Sequence, residues 1–268
     1  MSNPPVRVVL AALDTTTASR PVLETASRMA EMTGAQVEAI HVTDGPADML
    51  DLLAGRAAIR LRRLSGPVEP AVLEAMAAPQ VIAAVIGARA TPGGRRPVGR
   101  TALRLLRQTT KPVVVVPPNA LSPRPFKRLL VPLEGEQSSS QPIIDALWPL
   151  LVAEVELIVL HVFTDTTLPR MLDRPHRDLD LLGAEFLASQ CPPATRIELR
   201  TGPVAARVAE VSDQHSVDLV VLSWSQQVSP GRAQVVQEVL GASLLPVLLL
   251  PVGSQTSPAA SPSELPTS

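Results

Sequence analysis

The chain repeats itself, and the repeat decides most of what it can fold into. The segments opening at Val6 and at Lys127 follow one plan. Val6 to Leu13 is a near-continuous aliphatic run closed by Asp14, and Lys127 to Leu133 is a second run closed by Glu134. A polar turn follows each, Thr15-Thr16-Thr17 or Gly135-Glu136-Gln137-Ser138. Then come apolar residues at helical spacing, Val22, Ala26, Met29 and Ala30 in the first copy and Ile143, Ile144, Leu147 and Leu151 in the second. Second strands follow at Val37–Val42 and Leu157–Val162, each closing on His-Val.

The copies stay in step. Ile59–Leu64 leads to Gly66-Pro67-Val68, and Arg196–Arg200 leads to Gly202-Pro203-Val204. Each Gly-Pro is a turn into a helix, because proline's missing N–H and fixed φ suit a first helical turn. Fourth strands are expected at Ala83–Ile86 and Asp218–Leu222, and fifth strands at Pro112–Val116 and Pro246–Leu250. Strands alternating with helices require a parallel sheet. Because the runs are apolar on both faces, helices must cover both sides. The expected architecture is α/β, with two tandem open sheets. Residues 1–117 form the first domain, 118–126 a Pro-rich linker and 127–252 the second domain, and the Ser/Pro/Thr-rich tail 253–268 is expected to be disordered. One difference separates the copies: the second has room for a full helix around Leu179–Gln190, where the first has only Ala47–Ala54.

Composition narrows the partners. Apolar residues at 46% exclude wholesale disorder. With 24 basic and 25 acidic residues the net charge is -1, so no global field draws the chain to nucleic acid or an anionic membrane. The lone Cys191 can form no internal disulfide and joins no zinc-ligand pattern, which points to a reducing compartment. Apolar runs such as Leu244–Val252 fall well short of the roughly 20 residues that span a bilayer. Residues 1–5 lack the pattern of a secretory signal, so a cytoplasmic location is expected.

In an open parallel sheet, ligands bind beyond the carboxyl ends of the strands, where strand order reverses. Asp14 and Glu134 fall there. After its fourth strand the first copy carries a glycine-bearing loop, Gly87 to Thr101, that runs into a helix. Backbone amides of such a loop, with a helix N-terminus behind them, suit phosphate. From Arg89 to Lys111 the chain has seven basic residues and no acid. The matching stretch Ser223–Arg232 has one glycine and one arginine. Asp14 also suits a helix-capping role. His41 and His161, at equivalent strand ends, suit a scaffold role, and Trp224 is a candidate plug for the second copy's vacant site.

Taken together, the carboxylate after strand one, the His-Val pair, the Gly-Pro turn and the loop-helix unit ending in Val113-Val114-Val115-Val116-Pro117 resemble universal stress protein domains in tandem. The resemblance implies five parallel strands per domain in the order 3-2-1-4-5. For members that bind ATP it also implies the pattern G-x2-G-x9-G-[ST] after strand four. Gly87 and Thr101 match that pattern; Ala90 and Arg100 stand where it has glycine, and Gly99 lies one position early. Asp14 matches the adenine-side aspartate, and Val42 the residue whose backbone meets the base. The implied nucleotide site is Asp14, Val42, Gly87, Arg89, Gly99, Arg100 and Thr101, holding ATP or another adenine nucleotide, with magnesium as a companion. In the second copy Ser223 and Gln226 take the leading glycine positions and Glu134 replaces the aspartate, so that copy is expected not to bind ATP. Family members pair through fifth strands, which implies an internal pseudodimer or, alternatively, a homodimer.

Two classes of function follow. One is a stress-associated regulatory protein that binds nucleotide in its first domain. The other is a nucleotide-free scaffold that acts through a protein partner the residues do not identify. No Walker lysine motif, GxGxxG or nucleophile–base arrangement points to an enzyme.

Overall fold

The computed structural model describes residues 6–43, 48–88, 98–117, 119–120, 123–133, 143–148, 151, 154–163, 196–224 and 232–251. The first half runs β1 (Val8–Leu13), α1 (Ser19–Thr33), β2 (Gln36–Val42), α2 (Asp48–Arg56), β3 (Arg60–Leu64), α3 (Val68–Ala77), β4 (Val81–Gly87), α4 (Arg100–Gln108) and β5 (Val113–Val116). The second runs β6 (Arg128–Leu133), a short helical segment 143–147, β7 (Glu156–Phe163), β8 (Arg196–Thr201), α5 (Val204–Gln214), β9 (Leu219–Trp224), α6 (Arg232–Ala242) and β10 (Val247–Pro251). The expected helix at 179–190, Cys191 and the tail 253–268 lie outside the described residues.

The fold is α/β, but the sheet is larger than five strands. Its order is β3-β2-β1-β4-β5-β10-β9-β6-β7-β8. Each half therefore keeps 3-2-1-4-5 with parallel neighbours, and the two meet where β5 and β10 pair antiparallel, Val113 opposite Leu249, Val114 opposite Leu248 and Val115 opposite Val247. Fully buried aliphatic strands at the end of each half leave an apolar edge that another strand must cover. Here each covers the other.

Two apolar layers follow from strand alternation. One lies under α3, α4, α5 and α6 and contains Leu10, Ile40, Val115, Val220 and Val247. The opposite layer lies under α1 and contains Val9, Ala39, Val114, Val131 and Leu248. Both cross the seam, so the halves share their cores. The linker joins the second layer through Phe126, which is buried.

The Gly-Pro turns behave alike in both halves. Gly66 has φ 96° and Gly202 φ 111°, a region that side chains disfavour. α3 and α5 start directly after Pro67 and Pro203.

One central ladder differs between the halves. β1 and β4 pair from Val8 to Ala12, with one shift of register between Val8 and Val9, whereas β6 and β9 hold only Leu129–Leu219 and Leu130–Val220. Pro132 has no N–H to donate and stands where the first half has Ala12, so the ladder ends early.

Candidate functional site

The site forms where the first half's strand order reverses, between β1 with β2 on one side and β4 on the other. The β1–β2 register ends at Leu13 and His41. Asp14 and Val42 therefore stand at the point where the two strands part. Asp14 is half-buried and organises the turn into α1. Its Oδ1 accepts the Thr16 amide at 2.9 Å, the Thr16 hydroxyl at 2.6 Å and the Ser19 hydroxyl at 3.2 Å. The Asp14 amide in turn donates to Ser19 Oγ at 2.9 Å. A cap of the first-turn amides of α1 was one expectation for this carboxylate; the structure instead shows a self-closed turn in which Thr16 and Ser19 hold the side chain still. Among the described residues these bonds fall on Oδ1, and Oδ2 accepts none.

The floor is fixed by His41. Its Nδ1 lies 2.8 Å from the Leu13 carbonyl, an acceptor, so Nδ1 carries the proton and ties β2 to β1 just below Asp14. Nε2 is buried with no partner among the described residues. His161 makes the same bond to the Leu133 carbonyl at 3.0 Å and meets Phe163 edge-on at 4.4 Å. Recurrence in both halves, one of which lacks the glycine pattern, fits the scaffold role.

Gly87 ends β4 beside Val116 of β5. A Cβ there would meet only Val22 Cγ2, at 3.7 Å, an ordinary contact, so neither packing nor backbone conformation demands glycine at this point. The chain leaves the sheet through Ala88, whose amide donates to the Val116 carbonyl at 2.8 Å, and returns at Gly99, whose amide donates to the Ala88 carbonyl at 2.7 Å. The mouth of the loop is thus closed by backbone bonds. Arg89, Ala90 and the rest of residues 89–97 lie outside the described residues.

Gly99 is the N-cap of α4 and has no side chain with which to cap it, and among the described residues no other side chain is bonded to that end. The first turn carries no acid; it carries Arg100 and Thr101, both exposed. A cation at a helix N-terminus opposes the helix dipole, and the first amides of a helix have no internal acceptor. This end of α4 is chemically unfinished. The outer face is basic as well, with Arg100, Arg104 and Arg107 exposed, while Ala102, Leu105 and Leu106 are buried against the sheet.

Asp14, Val42, Gly87, Gly99, Arg100 and Thr101 are therefore brought to one edge of the sheet by β1, β2, β4 and α4. The second half offers no such gathering among its described residues. Glu134 and Gln226 lie outside them. Ser223 and Trp224, expected in a loop, are the last residues of β9, paired with Leu250 and Pro251. Trp224 is buried, and its indole N–H donates across the seam to the Leu106 carbonyl of α4 at 2.9 Å. The early end of the β6–β9 ladder further separates this edge from its counterpart.

A family model described as the universal stress protein family matches residues 125–251. Residues 125–251 are a universal stress protein domain. The fold extends the likeness to both halves. A functionally unknown protein from Pseudomonas aeruginosa PAO1 is similar over 92% of this chain and 92% of its own, with 13% identity and a TM-score of 0.66. A universal stress protein from Archaeoglobus fulgidus DSM 4304 is similar over 90% of this chain and 97% of its own, with 14% identity and a TM-score of 0.59. Identity that low speaks to fold alone. No curated protein sequence matches the chain. Among the described residues, no helix of this chain is long and apolar enough to cross a membrane.

Two features around this sheet edge were not read from the sequence. Pro132 was legible, since proline inside a central strand signals a broken ladder. The bond from Trp224 to Leu106 was not, because it joins residues 118 positions apart and depends on the seam.

Proposed function

We propose that this chain is a stress-associated binding protein whose first half holds an adenine nucleotide, ATP by preference, and whose second half supports it without binding one. The observation that carries this reading is the amino end of α4. It has a glycine N-cap, no acid in its first turn and a basic outer face, and it lies at the sheet edge where strand order reverses. An anion there supplies the negative charge that the first turn lacks. The donor set fits a nucleotide. Asp14 Oδ2 accepts from an exocyclic amine, and the backbone at Val42 meets the base edge. Gly99, Arg100 and Thr101, with Arg89, take the phosphates. The Thr101 hydroxyl would be this chain's own ligand to a magnesium ion accompanying those phosphates.

Binding, not turnover, is the proposed activity. The proposed location is the cytoplasm. The boundaries at 117 and 127 mark the proposed domains, and the β5–β10 seam is the proposed substitute for a dimer interface, so that one chain is a pseudodimer. Calorimetric titration with ATP and magnesium tests the reading, with Arg100→Glu as the control. Glutamate in a first turn favours the helix while repelling phosphate, so a folded variant that has lost binding is expected. Saturation at one site per chain is the expected wild-type result; absence of heat at millimolar nucleotide refutes it.

One observation favours a second reading, a scaffold acting through a protein partner. Met49 and Leu52 of α2 are 48% and 58% exposed and lie three residues apart on one helical face. If nucleotide fails to bind, crosslinking from this face is the experiment that follows.

A further inference from the structure

We infer that Trp224, in the half that lacks the glycine pattern, is a positioning residue for the site in the other half, acting through α4. The inference rests on the nucleotide reading above. Trp224 closes β9 and is 5% exposed, and its Nε1–H donates to the Leu106 carbonyl at 2.9 Å. α4 ends at Gln108, so the Leu106 carbonyl belongs to the last turn, whose acceptors find no helical donor. The indole is thus a C-terminal cap supplied from across the seam.

The rest of α4 shows why that cap matters. A helix of nine residues is far too short to hold itself together, because the cost of nucleation is spread over few bonds. Its carboxyl end is anchored three ways. The Thr109 amide bonds the Leu105 carbonyl at 3.0 Å, Trp224 bonds Leu106, and Arg104 and Gln108 reach Glu69 of α3 at 3.1 and 2.8 Å. Its amino end has a glycine N-cap, no side-chain cap among the described residues, and a cation in its first turn. α4 is consequently held from behind and presented at the front. Without the indole donor the last turn frays, and an anion at the first turn must bear the cost of ordering the helix. The contact is not reciprocated: the residue aligned with Trp224 is Ala88, which has no side-chain donor to offer α6.

Trp224→Phe keeps the aromatic packing and removes the N–H. It is to be measured by ATP–magnesium calorimetry and by amide hydrogen exchange of the ligand-free protein. The expected result is affinity weakened about fivefold, the scale of one lost hydrogen bond, with faster exchange confined to α4 while the β5 and β10 amides keep their protection. Wild-type affinity in the variant overturns the inference and leaves the nucleotide reading intact. Exchange that rises evenly through both halves also overturns it, as simple destabilisation. A wild type that binds no nucleotide overturns both. Because the variant can fail to fold, a second measurement uses Trp148→Phe, which removes the other, 57% exposed tryptophan and leaves Trp224 as the lone fluorophore. Its emission is expected to shift along the calorimetric saturation curve. Emission that stays constant while heat saturates overturns the coupling.

Discussion

The seam between the halves can be tested by removing side chains from both of its sides. Val114 and Leu248 are opposed across the β5–β10 pair, and each is 0% exposed. Leu248→Ala is expected to cost about 3 kcal/mol, the middle of the range for a buried leucine truncated where the surroundings relax only partly. Val114→Ala removes two carbons, at ~0.8 kcal/mol each plus the cavity they leave, or about 2 kcal/mol. If the side chains touch, each single variant already forfeits their mutual contact, so the double variant should cost about 1 kcal/mol less than the sum. Urea denaturation followed by far-ultraviolet circular dichroism and by tryptophan emission gives all four free energies. The buried Trp224 spans both halves through Leu106 and reports the seam directly. Additivity to within about 0.3 kcal/mol, the behaviour of distant sites, would show that β5 and β10 do not meet in solution and would refute the shared core.

Other outcomes follow from single residues. Gly66→Ala is expected to destabilise by about 1 kcal/mol from backbone strain alone, since a Cβ there meets nothing within 4 Å; thermal melts of Gly66→Ala beside Gly87→Ala, which has neither strain nor clash, give the contrast. Asp14→Ala should cost about 2 kcal/mol by stripping the Thr16 amide and hydroxyl of their shared acceptor, while Ser19 keeps its 2.6 Å bond to the residue-14 carbonyl, whereas Asp14→Asn keeps an oxygen at Oδ1 and should fold nearly as well; equal losses in chemical denaturation would contradict the turn described here. Glu24→Ala, which breaks an exposed pair with Arg20, should leave the melting temperature unchanged, because surface ion pairs contribute little. In sedimentation velocity the chain is expected to remain a monomer as concentration rises, since the fifth-strand edge is already occupied; reversible dimers would show that edge to be free.

The strands were legible because burial on both faces leaves so little choice of residue: Val113 to Val116 and Leu248 to Leu250 can scarcely be anything else. The parallel order was legible because each apolar run is followed by residues at helical spacing. What periodicity cannot express is the partner of an edge. Nothing in Val247-Leu248-Leu249 says that Val115-Val114-Val113 lies opposite; the sequence marks both as apolar edges, and only the resemblance to a known family implied that they pair. The site divides similarly. Asp14, Gly87 and Thr101 could be placed from strand ends and one helix start, since the carboxyl edge of a parallel sheet gathers them whatever the side chains do. The role of Asp14 in its turn could not, because it depends on the rotamers of Thr16 and Ser19. Trp224 was misplaced for a related reason: Ser223 and Trp224 look like the start of a polar loop, and only the pairing with Leu250 and Pro251 draws them into β9.

The antiparallel seam has one more consequence. Where two identical subunits join, any change of sequence arrives on both sides at once, and a residue that helps one site while ruining its own must do both twice. In a single chain, a change arrives once. A bulky indole at the mouth of one half can therefore brace the neighbouring helix without obstructing the half that keeps Gly87 and Thr101. The two halves are free to diverge, and a bond such as that from Trp224 to Leu106 can serve one of them alone.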